Sequence, residues 1–336
     1  MRFFEQQDEA RAQSLRLLFL FSLAVLATVL GVHLGLAACW MALRLISPIP
    51  LDFPRLFFAV NVGVTLLLVL GGWWIETTNL QAEGGAERLA RQLGARELRP
   101  GSSQQEQQLA NVVDEVCIAA HMRHPQVMLL PRHQGINAFA AGCQPQDGIV
   151  CVTQGALDLL TRDELQGMVA HECSHLHEGD THLNMELAGM VLGLELVWGF
   201  GEDIRERGGI AAVVGTVIMV MGSVGWSAGR VLQASVSRQR EYLADARAVQ
   251  WTRNADGLGG VLRKALTQRE DPQEQPDDPS WPTRTEHLLL VGNVAERRGW
   301  FDTHPPLAER IRRIYGRPMP ALPLPHDARA TAITWA

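Results

Sequence analysis

Long runs without charged side chains constrain the fold of this 336-residue chain more than any other feature. Residues 17–43 form the first run and residues 56–75 form the second. About 20 apolar residues in a helix span the hydrocarbon core of a bilayer, so each run is long enough to cross a membrane. Residues 47–55 between them hold three prolines, which suit a short exposed turn. The sequence therefore predicts a polar N-terminus at 1–16 and a transmembrane hairpin over 17–75.

A second pair of apolar runs lies in the middle of the chain. Residues 208–229 contain no charged side chain, whereas residues 183–201 contain Glu186 and Glu195. Leaving the uncharged run in water would be costly, so we expect both runs to cross as a second hairpin over 183–229. The alternative is that neither crosses. Arginines are more frequent before the first run and after the second than between them, which predicts termini that face the cytoplasm.

Composition agrees with a membrane protein, since 47% of the residues are hydrophobic and only 20% are charged. A net charge of -6 argues against a nucleic-acid partner. An odd number of cysteines, five, without a C-x-x-C pair indicates free thiols in a reducing compartment. Outside the apolar runs the composition is that of a soluble domain. We expect this domain to be formed by residues 76–182 and 230–316, followed by a Pro-rich tail at 317–336.

The pentapeptide H-E-C-S-H at 171–175 lies in a segment that reads as a helix. Histidines four residues apart on a helix project from one face, so His171 and His175 can bind one metal ion, with Glu172 beside them as a base. Thr161 and Glu164 predict a capping box at the start of this helix. The pattern is the signature of a zinc peptidase, although so short a match also arises by chance.

A second helical segment supplies a third candidate ligand. Glu241 and Asp245 lie one helical turn apart, and two histidines with one glutamate form a known ligand set for catalytic zinc. Asp245 could then accept the outer N–H of a ligating histidine. By itself, the same segment is typical of an exposed helix with acidic side chains.

Three motifs follow one another along the chain: H-E-x-S-H followed by Asp180, S-R-x-x-E-Y-x-A-D at 237–245, and T-H-P-P at 303–306 leading into 307–311. Together and in this order, they resemble those of the membrane-bound HtpX-type zinc endopeptidases, relatives of the CAAX prenyl proteases. The resemblance covers roughly residues 105–316. The sequence departs from the family pattern at Cys173, a thiol that could compete for metal, and in a Pro-rich acidic insert at 269–284.

The resemblance implies a mostly helical α+β fold: a zincin-like (gluzincin) catalytic domain with a small β-sheet, and about four transmembrane helices. It implies one Zn²⁺ per chain, polypeptide substrates, and a place in the bilayer of a bacterial inner membrane. Misfolded membrane proteins are the implied substrates. Prenyl-peptide processing and a catalytically idle zinc scaffold remain the alternatives.

The resemblance also implies roles for residues around the zinc. It places His304 beside the site as a donor to the oxyanion, with Asn137 as a second donor, whereas His304 could instead be a structural residue at a helix start. Asp180 and Arg238 are expected next to the ligands.

Short apolar runs at 127–130, 138–141 and 149–152 predict a small sheet. An extended substrate could add to an edge strand formed by Ala138, Phe139 and Ala140, although an ordinary core strand fits the pattern equally well. Farther along the chain, residues near 284–298 read as a helix.

Overall fold

The computed structural model describes residues 2–325 apart from 49–51, 83, 144–145, 273, 277, 280, 283–284, 286–287 and 293–303. For residues 2–17, 232–237 and 239 it describes the backbone only. Thr303 and the end of the tail, 326–336, thus lie outside the described residues. Helices predominate, and a small mixed sheet accompanies them, which confirms the predicted fold class.

The elements follow one another in this order: α1 (Arg2–Ile46), α2 (Phe57–Gln81), α3 (Gly85–Gln92), β1 (Arg96–Glu97), α4 (Gln104–Ala120), β2 (Gln126–Leu130), β3 (Ala138–Ala141), β4 (Ile149–Thr153), α5 (Gln154–Leu159), α6 (Arg162–Glu178), α7 (Asp180–Arg205), α8 (Gly209–Thr252), α9 (Ala255–Glu270) and α10 (Leu307–Tyr315).

The first of two compact units comprises Met1–Asn79 and Glu186–Ser235. It contains apolar helical stretches long enough to span a membrane, and their outward surface is apolar, as in Phe19 and Leu67. Small residues let these helices approach closely: a Cβ at Gly193 would lie 2.3 Å from the Val69 carbonyl oxygen. The candidate spans are Leu18–Ile46, Phe57–Gln81, Asp180–Arg205 and Gly209–Val231.

The second unit comprises Leu80–Met185 and Val236–Ala336 and contains the sheet. The strand order is β1-β2-β4-β3, with β2 parallel to β4 and the other two pairings antiparallel. Strand β3 therefore lies at one edge, where it pairs with β4 in the register Phe139 to Cys151. All four residues of β3 are buried, so its outer edge is covered.

Helix α6 is the central element of this unit and packs against α4, α9 and β3. The predicted capping box is present: the Thr161 hydroxyl accepts the Glu164 N–H, and the Glu164 carboxylate accepts the Thr161 N–H. Lys264 of α9 donates to the same carboxylate at 2.7 Å. At Gly167 the two helices approach so closely that a Cβ would lie 2.3 Å from the Leu258 nitrogen. These contacts hold α6 rigidly.

The helix predicted near 284–298 does not continue past Leu288, which ends a 3₁₀ turn. Leu289 instead forms an isolated antiparallel bridge with Phe139 of β3, and residues 284, 286–287 and 293–298 lie outside the described residues. The backbone groups of this segment bond to β3 and to the Asn137 side chain. These tertiary bonds override the local helical preference.

Candidate active site

Three side chains from two helices converge at one point. His171 and His175 extend from α6 with their Nε2 atoms 3.3 Å apart. The Glu241 carboxylate, from α8, lies 3.7 Å from the His171 Nε2 and 3.5 Å from the His175 Nε2. All three side chains are buried.

These distances suit a metal ion. Nitrogen and oxygen ligands lie about 2.0–2.2 Å from a tetrahedral zinc, so two of them are roughly 3.3–3.6 Å apart. The surroundings also favour a cation. Although burial lowers the pKa of His175, hydrogen bonds with Asp180 and Glu241 raise it to about 10. The three residues therefore fit a zinc ion in both geometry and charge.

Two aspartates lie beside the Nδ1 atoms of these histidines. The Asp245 carboxylate lies 3.1 Å from the His171 Nδ1, and the Asp180 carboxylate lies 3.3 Å from the His175 Nδ1. A carboxylate at Nδ1 keeps the proton on that nitrogen and leaves the Nε2 lone pair for a metal. Both aspartates thus lie within reach of a histidine Nδ1, and their role in orienting the ligands stays a prediction.

Glu172 lies on the same turn of α6 and is almost fully buried. Neither of its carboxylate oxygens has a hydrogen-bond partner among the described residues. Burial raises its pKa to about 8, although His175 and Arg310 oppose the rise. A carboxyl group with a pKa near neutrality can both accept and donate a proton under physiological conditions.

Arg310 is the site residue that the sequence analysis missed. It is 0% exposed, and its guanidinium donates to both Asp245 oxygens at 2.9 and 2.7 Å. The same group lies 3.0 Å from Glu241. Burial alone would raise the pKa of the Glu241 carboxyl, but Arg310, His175 and His304 together outweigh burial and hold that pKa well below its usual range. Its place in the third motif, six residues after His304, was the available signal.

Two arginines differ in their relation to the site. Arg238, expected beside the ligands, has an exposed side chain. Arg240 instead pairs with Asp180 at 3.0 Å and so reaches the carboxylate that orients His175. Helical geometry explains the difference, because residues two apart project in different directions.

His304 and Cys173 also have defined places. The His304 Nδ1 lies 3.6 Å from the Glu241 carboxylate, so this histidine borders the site. Cys173 is fully buried in the hydrophobic core with Cys117 of α4 nearby, and hydrogen bonding with that thiol together with burial raises its pKa well above the usual range. Cys173 therefore remains protonated, which disfavours metal binding by this thiol.

The residues expected to hold a substrate are already engaged. The Ala138 carbonyl accepts the Leu290 N–H at 2.9 Å. The Asn137 amide donates to the Val291 carbonyl at 2.8 Å and accepts its N–H at 3.2 Å. The role of Asn137 as an oxyanion donor and that of the 138–140 edge in substrate binding stay predictions, and both require these bonds to open.

The part of the chain that carries these site residues is similar to known proteins. The model of peptidase family M48 matches residues 103–317. Relatives named "Protease HtpX homolog" include those of Thermoanaerobacter pseudethanolicus and Dictyoglomus thermophilum. The first is 33% identical over 64% of this chain and 73% of its own length, and the second is 36% identical over 61% and 68%. The homologue of Ligilactobacillus salivarius is 31% identical over 77% of this chain and 85% of its own.

Among solved structures, the crystal structure of S. mikatae Ste24p aligns with 92% of this chain and 66% of its own, at 14% identity and a TM-score of 0.39. The family match covers well over half of the chain, including both histidines, Glu241 and His304. The chain therefore belongs to peptidase family M48 and is an integral-membrane metallopeptidase of the HtpX type.

Proposed function

We propose that this protein is a zinc-dependent endopeptidase whose metal is bound by His171, His175 and Glu241. The observation that carries the proposal is the convergence of these three donors at 3.3 to 3.7 Å, with the buried Glu172 on the same helical turn. Three protein ligands leave one position open, as catalytic zinc sites require.

The protein's own groups account for the proton transfers. When bound, zinc would supply a Lewis acid that lowers the pKa of the attacking water toward neutrality. Glu172 takes a proton from this water as its oxygen attacks the peptide carbonyl carbon. Glu172 then delivers that proton to the nitrogen as the C–N bond breaks, so that the products are a carboxyl group and a free amine.

His304, which lies next to Glu241, contributes to the same reaction as a hydrogen-bond donor. With zinc bound by His171, His175 and Glu241, the fourth position would be needed for the water, so His304 would not be a ligand in the active enzyme. Its ring instead donates an N–H to the oxygen of the tetrahedral intermediate, where negative charge develops. Its position 3.6 Å from the Glu241 carboxylate supports this role.

The proposed substrates are misfolded or damaged membrane proteins. The support comes from the membrane-spanning helices and from the relatives named "Protease HtpX homolog".

We place the protein in a bacterial inner membrane with the catalytic unit toward the cytoplasm. Reporters fused after Arg99 and after Arg317 should both indicate the cytoplasm, and one in the 47–55 loop should indicate the opposite side. Opposite locations for the first two would break this topology.

Cleavage by the Glu172→Gln variant tests the mechanism. Purified, zinc-loaded wild-type protein should cleave unfolded casein, whereas the variant should bind the same amount of zinc and cleave none. The amide matches the carboxyl group in size but cannot take a proton. Equal cleavage by both proteins would refute the enzymatic role of Glu172, and the absence of cleavage by wild type would favour an idle zinc scaffold.

A further inference from the structure

Residues 288–291, here called the strap, lie along the outer edge of β3. The Leu290 N–H donates to the Ala138 carbonyl at 2.9 Å, and Leu289 forms an antiparallel bridge with Phe139. An extended peptide that adds to a sheet edge makes contacts of this kind. The strap thus holds the position of an added strand.

One segment of the chain therefore engages both of the groups expected to receive a substrate. The strap occupies the Ala138 carbonyl, and through Val291 it also uses the amide nitrogen and the amide oxygen of Asn137. A substrate that pairs with β3 at Ala138 must replace the strap, because a carbonyl at a sheet edge accepts one strand at a time.

Contacts on both sides connect the strap to other parts of the unit. Arg310 donates to the Leu290 carbonyl at 2.8 Å with the same guanidinium that bonds to Asp245. Upstream, in the acidic insert, the Asp278 carboxylate accepts the N–H groups of Gln134 and Gly135 at 2.6 and 2.9 Å, in the loop before β3. Asp278, ten residues before the strap, thus connects the insert to the loop that leads into β3.

We propose that the strap is an autoinhibitory strand that covers the substrate edge of β3 and is displaced, strand for strand, by an extended polypeptide. Displacement exposes the Ala138 carbonyl and frees the Asn137 amide for the substrate. Exchanging one set of backbone hydrogen bonds for another is nearly balanced, so a substrate can compete. Burial of Leu289 and Leu290 makes the closed form the resting state. This inference rests on the proposed peptidase function.

Hydrogen exchange tests the displacement directly. In the zinc-loaded Glu172→Gln protein, the Leu290 amide should exchange slowly, and at least about tenfold faster once a β-casein peptide saturates the site. The amides of β4 serve as the internal control and should keep their protection. Unchanged protection at Leu290 with the casein peptide bound would overturn the proposal and make the strap a permanent strand. If the wild-type protein does not cleave casein at all, the proposed peptidase function is refuted instead.

A reversible clamp provides the second test. Phe139 and Leu289 face each other as a non-hydrogen-bonded antiparallel pair. The Cα atoms of such a pair lie about 4.5 Å apart, a separation that a disulfide spans, so a Phe139→Cys/Leu289→Cys variant can form one. Oxidation should reduce casein cleavage by at least about tenfold, with zinc content unchanged, and dithiothreitol should restore it. Both single variants, treated identically, control for the native cysteines. Equal cleavage by the oxidised and reduced double variant would refute the autoinhibition.

Discussion

Replacing Arg310 by alanine should destabilise the catalytic unit strongly. The guanidinium is the partner of two buried carboxylates, Asp245 at 2.7 and 2.9 Å and Glu241 at 3.0 Å. Removing one partner of a buried ion pair costs about 3–5 kcal/mol, because the remaining charge is left without compensation. For a folded unit of this size, such a loss lowers the unfolding temperature by roughly 6–20 °C.

The loss should be larger without zinc than with it. A zinc ion at the ligands would supply positive charge to Glu241, so that only Asp245 loses its main partner.

The stabilisation by Arg310 should also depend on pH. Burial raises the pKa of Asp245, but Arg310 and His171 together lower it by more, so the net shift is downward. A lowered folded-state pKa contributes stability above the ordinary pKa of the acid, and this contribution is lost as pH falls through the folded value.

Thermal unfolding in detergent, with and without prior removal of zinc by a chelator, measures these differences. Arg312→Ala is the matched control, since Arg312 lies on the same helix but is exposed and, among the described residues, forms an ion pair with Glu309 alone. An exposed pair contributes at most about 1 kcal/mol. A shift for Arg310→Ala no larger than that of the control, or an equal shift in both zinc states, would refute this reasoning.

Three further outcomes are expected. Glu241→Ala should lose zinc, because two histidines bind it more weakly than three protein ligands, and full occupancy measured by elemental analysis would point to Asp245 or Asp180 as the third ligand. His304→Ala should keep zinc and fold, while kcat falls roughly 10²- to 10³-fold with little change in substrate affinity, and unchanged kcat would make His304 structural. Zinc-free Glu172→Gln should melt above wild type at pH values above about 8 and together with it below about 4.5, because the folded protein holds the Glu172 proton up to about pH 8. Parallel melting curves across this range would contradict the raised pKa.

Structural features that depend on residues close together in the chain could be predicted from local sequence patterns. The cap at Thr161 and the spacing of His171 and His175 follow from one helix, and the short apolar runs match β2, β3 and β4 to within a residue. The choice of Glu241 needed only the known ligand sets of zinc. The family membership drawn from the motifs is confirmed.

Contacts between residues far apart in the sequence could not be predicted from such local patterns. Arg310 meets Asp245 across 65 positions of sequence, and no periodicity links the two. The strap reads locally as a helix, but its backbone bonds to Asn137 and Ala138, which lie about 150 residues earlier. Only the packing of the whole unit determines such contacts.

The ligand set at the metal is the centre of this account, and X-ray absorption at the zinc edge of the purified protein measures it most directly. We expect one zinc per chain with two imidazole nitrogens at about 2.0–2.1 Å and oxygen ligands, from Glu241 and a water, at about 2.0–2.2 Å. Glu241→Ala is the matched variant and should lose this signal. A sulfur ligand at about 2.3 Å, which would implicate Cys173, or a third imidazole, which would implicate His304, would contradict the account.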